Sequence, residues 1–98
     1  MKSLNKEELR DLINNDNDKI ILFYSSECES CDKVKTTLDK HNINYYVIDC
    51  VKEPNYFIET YKVDLIPDLR VYHKKDIHCQ KLAKLNDEEI INVEDYKY

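Results

Sequence analysis

Apolar positions recur along the chain in two rhythms, and the switches between them lay out the elements. After Asn5, residues Leu9, Leu12 and Ile13 stand at the spacing of one helical face. Asn5 followed three residues on by Glu8 reads as a capping box, so a first helix is predicted over about Lys6 to Asn14. Asn14 to Asp18 is a run of turn formers, and Lys19 to Tyr24 is then a compact apolar segment with the length and β-branching of a buried, central strand. Beyond the polar stretch from Ser25 to Ser30, Val34 and Leu38 share one helical face opposite Lys33, Lys35 and Lys40. That helix is opened by Cys28-Glu29-Ser30-Cys31 and should end near His41-Asn42, with Asn42 or Asn44 taking a left-handed cap. Tyr45 to Asp49 reads as a second strand, and Pro54 suits the first turn of a short helix carrying Tyr56, Phe57 and Tyr61. After Val63 the pattern breaks. Leu69, Val71 and Tyr72 then mark a strand beginning at Ile66-Pro67, and Lys74-Lys75-Asp76 a hairpin turn into a strand from Ile77 to Leu82. Asn86 with Glu89 repeats the capping pattern before a last helix with Ile90, Ile91 and Val93. The predicted order is αβαβαββα: an α/β chain with a four-stranded mixed sheet flanked by helices on both faces.

Composition narrows the picture. A chain of 98 residues has apolar material for one modest core, so residues 1–98 are read as a single domain. Hydrophobic residues at 42% and charged residues at 36% exclude the low-hydrophobicity class of disordered chains. The net charge of -5 comes from acids scattered along the chain, which leaves no basic stripe for nucleic acid. The longest apolar run of β-formers, Ile20 to Phe23, is too short to span a bilayer, and Met1-Lys2 leads into a polar helix pattern in place of a signal segment, so a cytoplasmic location without membrane contact is expected. In that reducing compartment, four cysteines including a C-x-x-C pair point to redox or metal chemistry in preference to structural disulfides. Glycine is absent, so positions needing φ > 0 are expected to fall to Asn or Asp.

The Cys28/Cys31 spacing suits redox chemistry, because a disulfide needs Cα atoms within about 4.4–6.8 Å and two residues in the first turn of a helix meet that with little strain. Cys28, just before or at the first helical position, faces unpaired N–H groups and the positive end of the helix dipole, which favour a thiolate and make it the expected nucleophile. Cys31, a turn further in and on the core side, is suited to resolve a mixed disulfide by attacking Cys28.

With the amino-terminal helix, a buried strand leading into C-x-x-C, and Ile66-Pro67 ahead of the hairpin, the sequence resembles the thioredoxin family over nearly its whole length, with an active-site helix shortened as in glutaredoxins. The resemblance implies a thioredoxin-like fold and a thiol-disulfide oxidoreductase that reduces protein disulfides, serving electron transport and redox homeostasis. It implies no bound cofactor beyond the redox-active Cys28-Cys31 disulfide. It also implies a cis Pro67 packed near the redox pair, substrate-binding backbone groups at Ile66, a thioredoxin reductase-type electron donor using NADPH, and a monomer. Departures from the pattern are specific. The motif reads E-C-E-S-C where the family has W-C-G-P-C, Leu22 stands where thioredoxins carry a buried aspartate, and Ala83 stands where a glycine shapes the groove.

Glu27, Glu29 and Asp32 ring the motif with negative charge, opposing the helix dipole, which predicts a reductant that favours partners with basic surfaces. Three other readings stand beside this one: a glutathione-dependent glutaredoxin-like protein, against which counts the lack of a glycine pair after the proline strand; a non-catalytic thioredoxin-fold binding module; and a zinc site recruiting Cys50, Cys79, His73 or His78. Cys50 and Cys79 read as small semi-buried hydrophobes, and His41, His73 and His78 as solvated or structural. The eight tyrosines read as amphipathic cover for a core that lacks Trp, with Tyr24, just before the active-site loop, placed to border the substrate groove.

Overall fold

The computed structural model describes residues 1–73, 79–82 and 85–93. The described elements are β1 (Lys2–Ser3), α1 (Lys6–Ile13), β2 (Lys19–Tyr24), α2 (Glu29–Lys40), β3 (Tyr46–Asp49), α3 (Pro54–Tyr61), β4 (Asp68–Tyr72), β5 (Cys79–Lys81) and α4 (Asp87–Ile91). The sheet has five strands in the order β1-β3-β2-β4-β5, which corrects the expected four. The extra strand is the two-residue β1, parallel to β3 with Lys2 opposite Tyr46, and held by Leu4 N–H on the Val47 carbonyl at 2.8 Å. A two-residue polar segment has no alternation to read, so nothing in the sequence announced it. The expected hairpin turn at residues 74–76 and the start of its second strand at Ile77 lie outside the described residues.

The apolar run of β2 divides between two cores because successive side chains point to opposite faces. Ile20 and Leu22 join Val47, Leu69 and Val71 under Val34 and Leu38 of α2 and Ile90 of α4. Ile21 and Phe23 join Ile48 and Tyr72 under Leu9 and Ile13 of α1 and Phe57 of α3. Helices therefore cover both faces, and β2, paired in parallel with β3 and antiparallel with β4, is the buried centre of the sheet. At about 1.5–3 kcal/mol for each large side chain fully withdrawn from water, Phe23, Ile21 and Leu22 anchor the strand that leads into the C-x-x-C loop.

Helix ends are set by side chains and by two left-handed residues. Asn5 Oδ1 accepts from the Glu8 N–H at 2.8 Å while Glu8 Oε1 accepts from the Asn5 N–H at 3.0 Å, the predicted capping box. Asn42, at φ 56°, closes α2 with a Schellman motif: its N–H bonds the Asp39 carbonyl and the Ile43 N–H bonds the Leu38 carbonyl at 3.0 Å. Among the described residues, the other positive-φ positions are Lys62 at 58°, which closes α3, and Leu85 at 48°. Neither is Asn or Asp. The expectation that those two residue types would fill such positions holds only at Asn42.

Among the described residues, no helix is long and apolar enough to cross a membrane.

Candidate active site

The loop between β2 and α2 is wound by Ser25. Its carbonyl accepts the Cys28 N–H at 3.1 Å, and its Oγ accepts the Glu27 N–H at 3.1 Å. This turn delivers Cys28 to the N-cap position in an extended conformation, where its Sγ accepts the Cys31 N–H at 3.3 Å. A sulfur thus does the work that Ser, Thr, Asp or Asn does at most helix starts. Cys28 is half-buried, and Cys31, one turn into the helix, is fully buried. Burial pushes the Cys31 thiol up to about 12, and its hydrogen bond to the Cys28 sulfur pushes the same way, while a backbone contact from Ser25 and the charge of Lys35 pull it back. The two sulfurs therefore lie in different environments: one is at the solvent edge facing a helix N–H group, the other dry, one turn into the helix.

The Ile66-Pro67 peptide is cis, as the resemblance implied. Pro67 lines a hollow of about 360 Å³ with Ser30, Lys33, Val34 and Thr37 of α2, together with Leu85 and Ile90. Ile66, 37% exposed, lines a second hollow of about 290 Å³ that reaches Ser25 and Cys50 and is walled by Phe57, Val63 and Leu65. The cis peptide thus sits between two depressions, one touching the active-site helix and the other the active-site loop. Leu22 is fully buried in the α2-side core, so that strand position offers the pair no carboxylate. Glu27, Glu29 and Asp32 are all exposed around the motif.

The other cysteines lie apart. Cys50 is buried at the end of β3, its N–H on the Tyr24 carbonyl, and burial followed by the Asp49 charge pushes its thiol up to about 12. Cys79 sits opposite Tyr72, at the far end of β4 from Pro67. Among the described residues, no three His, Cys, Asp or Glu side chains converge as a metal set. His78 and Ala83 lie outside the described residues.

One cluster escaped the sequence reading. Arg70 and Asp68, both buried, form a two-pronged ion pair at 3.0 and 2.8 Å; Arg70 also donates to the Tyr72 hydroxyl at 3.2 Å and lies over the Phe23 ring at 4.7 Å. Its signal was present as D-x-R-x-Y, a polar set recurring every second residue of a strand and so sharing one face.

Residues 20–81, from β2 through β5, match the family model described as Glutaredoxin. The chain belongs to the glutaredoxin family. The glutaredoxin-family match takes in Cys28, Cys31, Ile66 and Pro67, and it places the chain among thiol-disulfide oxidoreductases. Solved structures agree on the fold. Mitochondrial thioredoxin 3 from Saccharomyces cerevisiae superposes with a TM-score of 0.71 at 20% identity over 98% of this chain and 95% of that one. Chloroplastic thioredoxin z gives 0.73 at 16% identity over 95% and 89%. The J-Trx1 fragment of ERdj5 gives 0.78 at 15% identity over 95% of this chain but only 49% of that one, so the chain spans about half of that fragment. No curated protein matches the sequence. The thioredoxin-like fold expected from the sequence is thereby shown, with one strand more.

Proposed function

We propose that this glutaredoxin-family chain is a cytoplasmic, monomeric reductase of protein disulfides that works by dithiol exchange. Cys28 attacks the substrate disulfide, Cys31 resolves the mixed disulfide, and the Cys28-Cys31 disulfide that results is the only redox group. The observation that carries this reading is the sulfur pair itself: Cys28 at the helix cap accepting the Cys31 N–H, with Cys31 buried behind it. Cys28 is the more accessible of the two sulfurs, and the dry site of Cys31 keeps it protonated until a disulfide forms in front of it. An extended substrate segment would pair with the backbone of Ile66, a residue 37% exposed beside the cis Pro67, giving binding that tolerates many sequences. The exposed acids Glu27, Glu29 and Asp32 favour substrates with basic surroundings and a potential near the reducing end of the family's range.

The test is turnover of insulin or of an aromatic disulfide. Activity is expected in the native protein and absent in Cys28→Ser, and Cys31→Ser should hold substrates as mixed disulfides on Cys28. Turnover that survives Cys28→Ser overturns the assignment.

The match to the glutaredoxin model favours a second reading in which glutathione, in place of a thioredoxin reductase-type donor, restores the dithiol. The two readings separate in one assay: regeneration by NADPH with a reductase supports the first, and regeneration by glutathione supports the second.

A further inference from the structure

Resolution demands a thiolate on Cys31, and Cys31 is in a poor place to form one. It is fully buried, its backbone N–H is taken up by the Cys28 sulfur, and Leu22 on β2 is an apolar residue of the buried core that offers no carboxylate to accept its proton. Some other group has to favour the charge. Lys35 stands four residues beyond Cys31, one turn along α2 at the border of its buried face. Its Nζ lies 3.5 Å from the centroid of the Tyr24 ring, and both side chains are half-buried. An ammonium group over an aromatic face is attracted by the ring quadrupole and gives up side-chain freedom in exchange for a fixed position. Tyr24 is the last residue of β2, immediately ahead of the loop that carries the motif, so the ring holds this cation where the strand enters that loop.

We propose that Lys35, pinned over Tyr24, is a positioning residue for the resolving step, its fixed positive charge favouring the Cys31 thiolate in place of the carboxylate the site lacks. The proposal rests on the dithiol reading above and assigns a further part to that same site. The step balances without another reactant. The Cys31 thiol yields its proton to solvent, the thiolate attacks Cys28 Sγ, the Cys28-Cys31 bond forms, and the bond to the substrate sulfur breaks. That sulfur leaves with the electron pair and takes a proton from solvent.

The groups facing Cys31 are the Cys28 sulfur at the helix cap, the Lys35 ammonium a turn further on and the Ser25 backbone of the loop, while the carboxylates of Glu29 and Asp32 on the same helix are exposed to solvent. From β2 comes Tyr24, whose hydroxyl is pushed upward by burial and by Asp49, Asp32 and the neighbouring thiols of Cys31 and Cys50, so it stays neutral at working pH and does not cancel Lys35. The helix turn bearing Lys35 is braced from the sheet side, where the Tyr45 hydroxyl reaches the Lys35 carbonyl at 3.4 Å and Asp39 Oδ1 at 3.0 Å.

Stopped-flow mixing of the reduced protein with dithiobis(nitrobenzoate) resolves the two steps, since attack by Cys28 releases one coloured thiolate and attack by Cys31 releases the second. Lys35→Met keeps the stem, the helix propensity and the ring contact but removes the charge. The expected result is an unchanged first phase and a second phase slowed roughly three- to tenfold at pH 7, its pH profile moved up by about half to one unit. Lys35→Arg, which keeps a cation over the ring, should restore the native profile. A second-phase profile that Lys35→Met leaves in place, or that Lys35→Arg does not restore, overturns the role of Lys35 while leaving the dithiol reading intact. Absence of the first phase in the native protein overturns that reading itself.

Discussion

At the scale of single residues, the chemistry follows from how differently two neighbouring sulfurs are solvated. Cys31 is dry and held up to about 12, so in the reduced protein it remains a neutral thiol far above physiological pH. Brief iodoacetamide treatment at pH 8, read by peptide mass spectrometry, should therefore mark Cys28 and spare both Cys31 and Cys50; preferential labelling of Cys31 would contradict the order of the two steps. The same burial makes a prediction about stability. A thiol whose ordinary value is 9.0 and whose folded value is near 12, as for Cys31 and Cys50, binds its proton more tightly in the folded state. Its contribution is complete below pH 9 and declines as pH rises, because the unfolded chain ionises first. Just above pH 9, before tyrosines join, each such thiol should begin to lower unfolding free energy, with a limiting slope of about 1.4 kcal/mol per pH unit. Urea melts across this range should show the fall, and Cys50→Ala should make it shallower by one thiol's share.

At the scale of elements, the ends of helices show where residue-type rules succeed and where they stop. The capping box at Asn5 and the left-handed Asn42 were legible because Asn has a local hydrogen-bonding reason to be at each place. Lys62 was not. It takes φ 58° at the end of α3 because the chain must turn there to bring Val63 N–H to the Phe57 carbonyl at 3.2 Å and bury Val63 under the sheet. A left-handed conformation costs a residue with a Cβ about 1 kcal/mol, which tertiary closure here offsets. Lys62→Gly should therefore stabilise the protein by about 0.5–1 kcal/mol, even after the loss of an exposed bond from its Nζ to the Glu59 carbonyl. Chemical denaturation measures this directly, and a destabilised variant would mean that the lysine side chain contributes more than the backbone costs. The strands divide in the same manner. β2 was readable as an apolar run and α2 by its four-residue spacing, whereas β1 exists only because β3 offers it an edge.

At the scale of the whole molecule, β4 joins the two halves of the candidate site, since it follows Pro67 directly and pairs with β2, which runs into the C-x-x-C loop. Its apolar residues Leu69 and Val71 were legible as one face of a strand. The other face was not, because alternation tells which residues share a side but not that Asp68 and Arg70 are taken out of water together. Burying such a pair is close to neutral when both partners are present and bonded, but removing one leaves an uncompensated charge. Arg70→Met should consequently destabilise by about 3–5 kcal/mol, as Asp68 loses both its bonds and keeps only Lys81 at 3.8 Å. Replacing both, as Asp68→Leu with Arg70→Met, should recover part of that loss, since no buried charge is then left unpaired while the Tyr72 hydroxyl still gives up its Arg70 donor. A thermodynamic cycle of the two single variants and the double variant reads the coupling. Single losses that simply add would show that Asp68 and Arg70 contribute independently of each other. Strong coupling would show that the two buried charges are held as a unit on the strand that follows Pro67, the guanidinium lying over the Phe23 ring of β2 and the carboxylate existing there only as its partner.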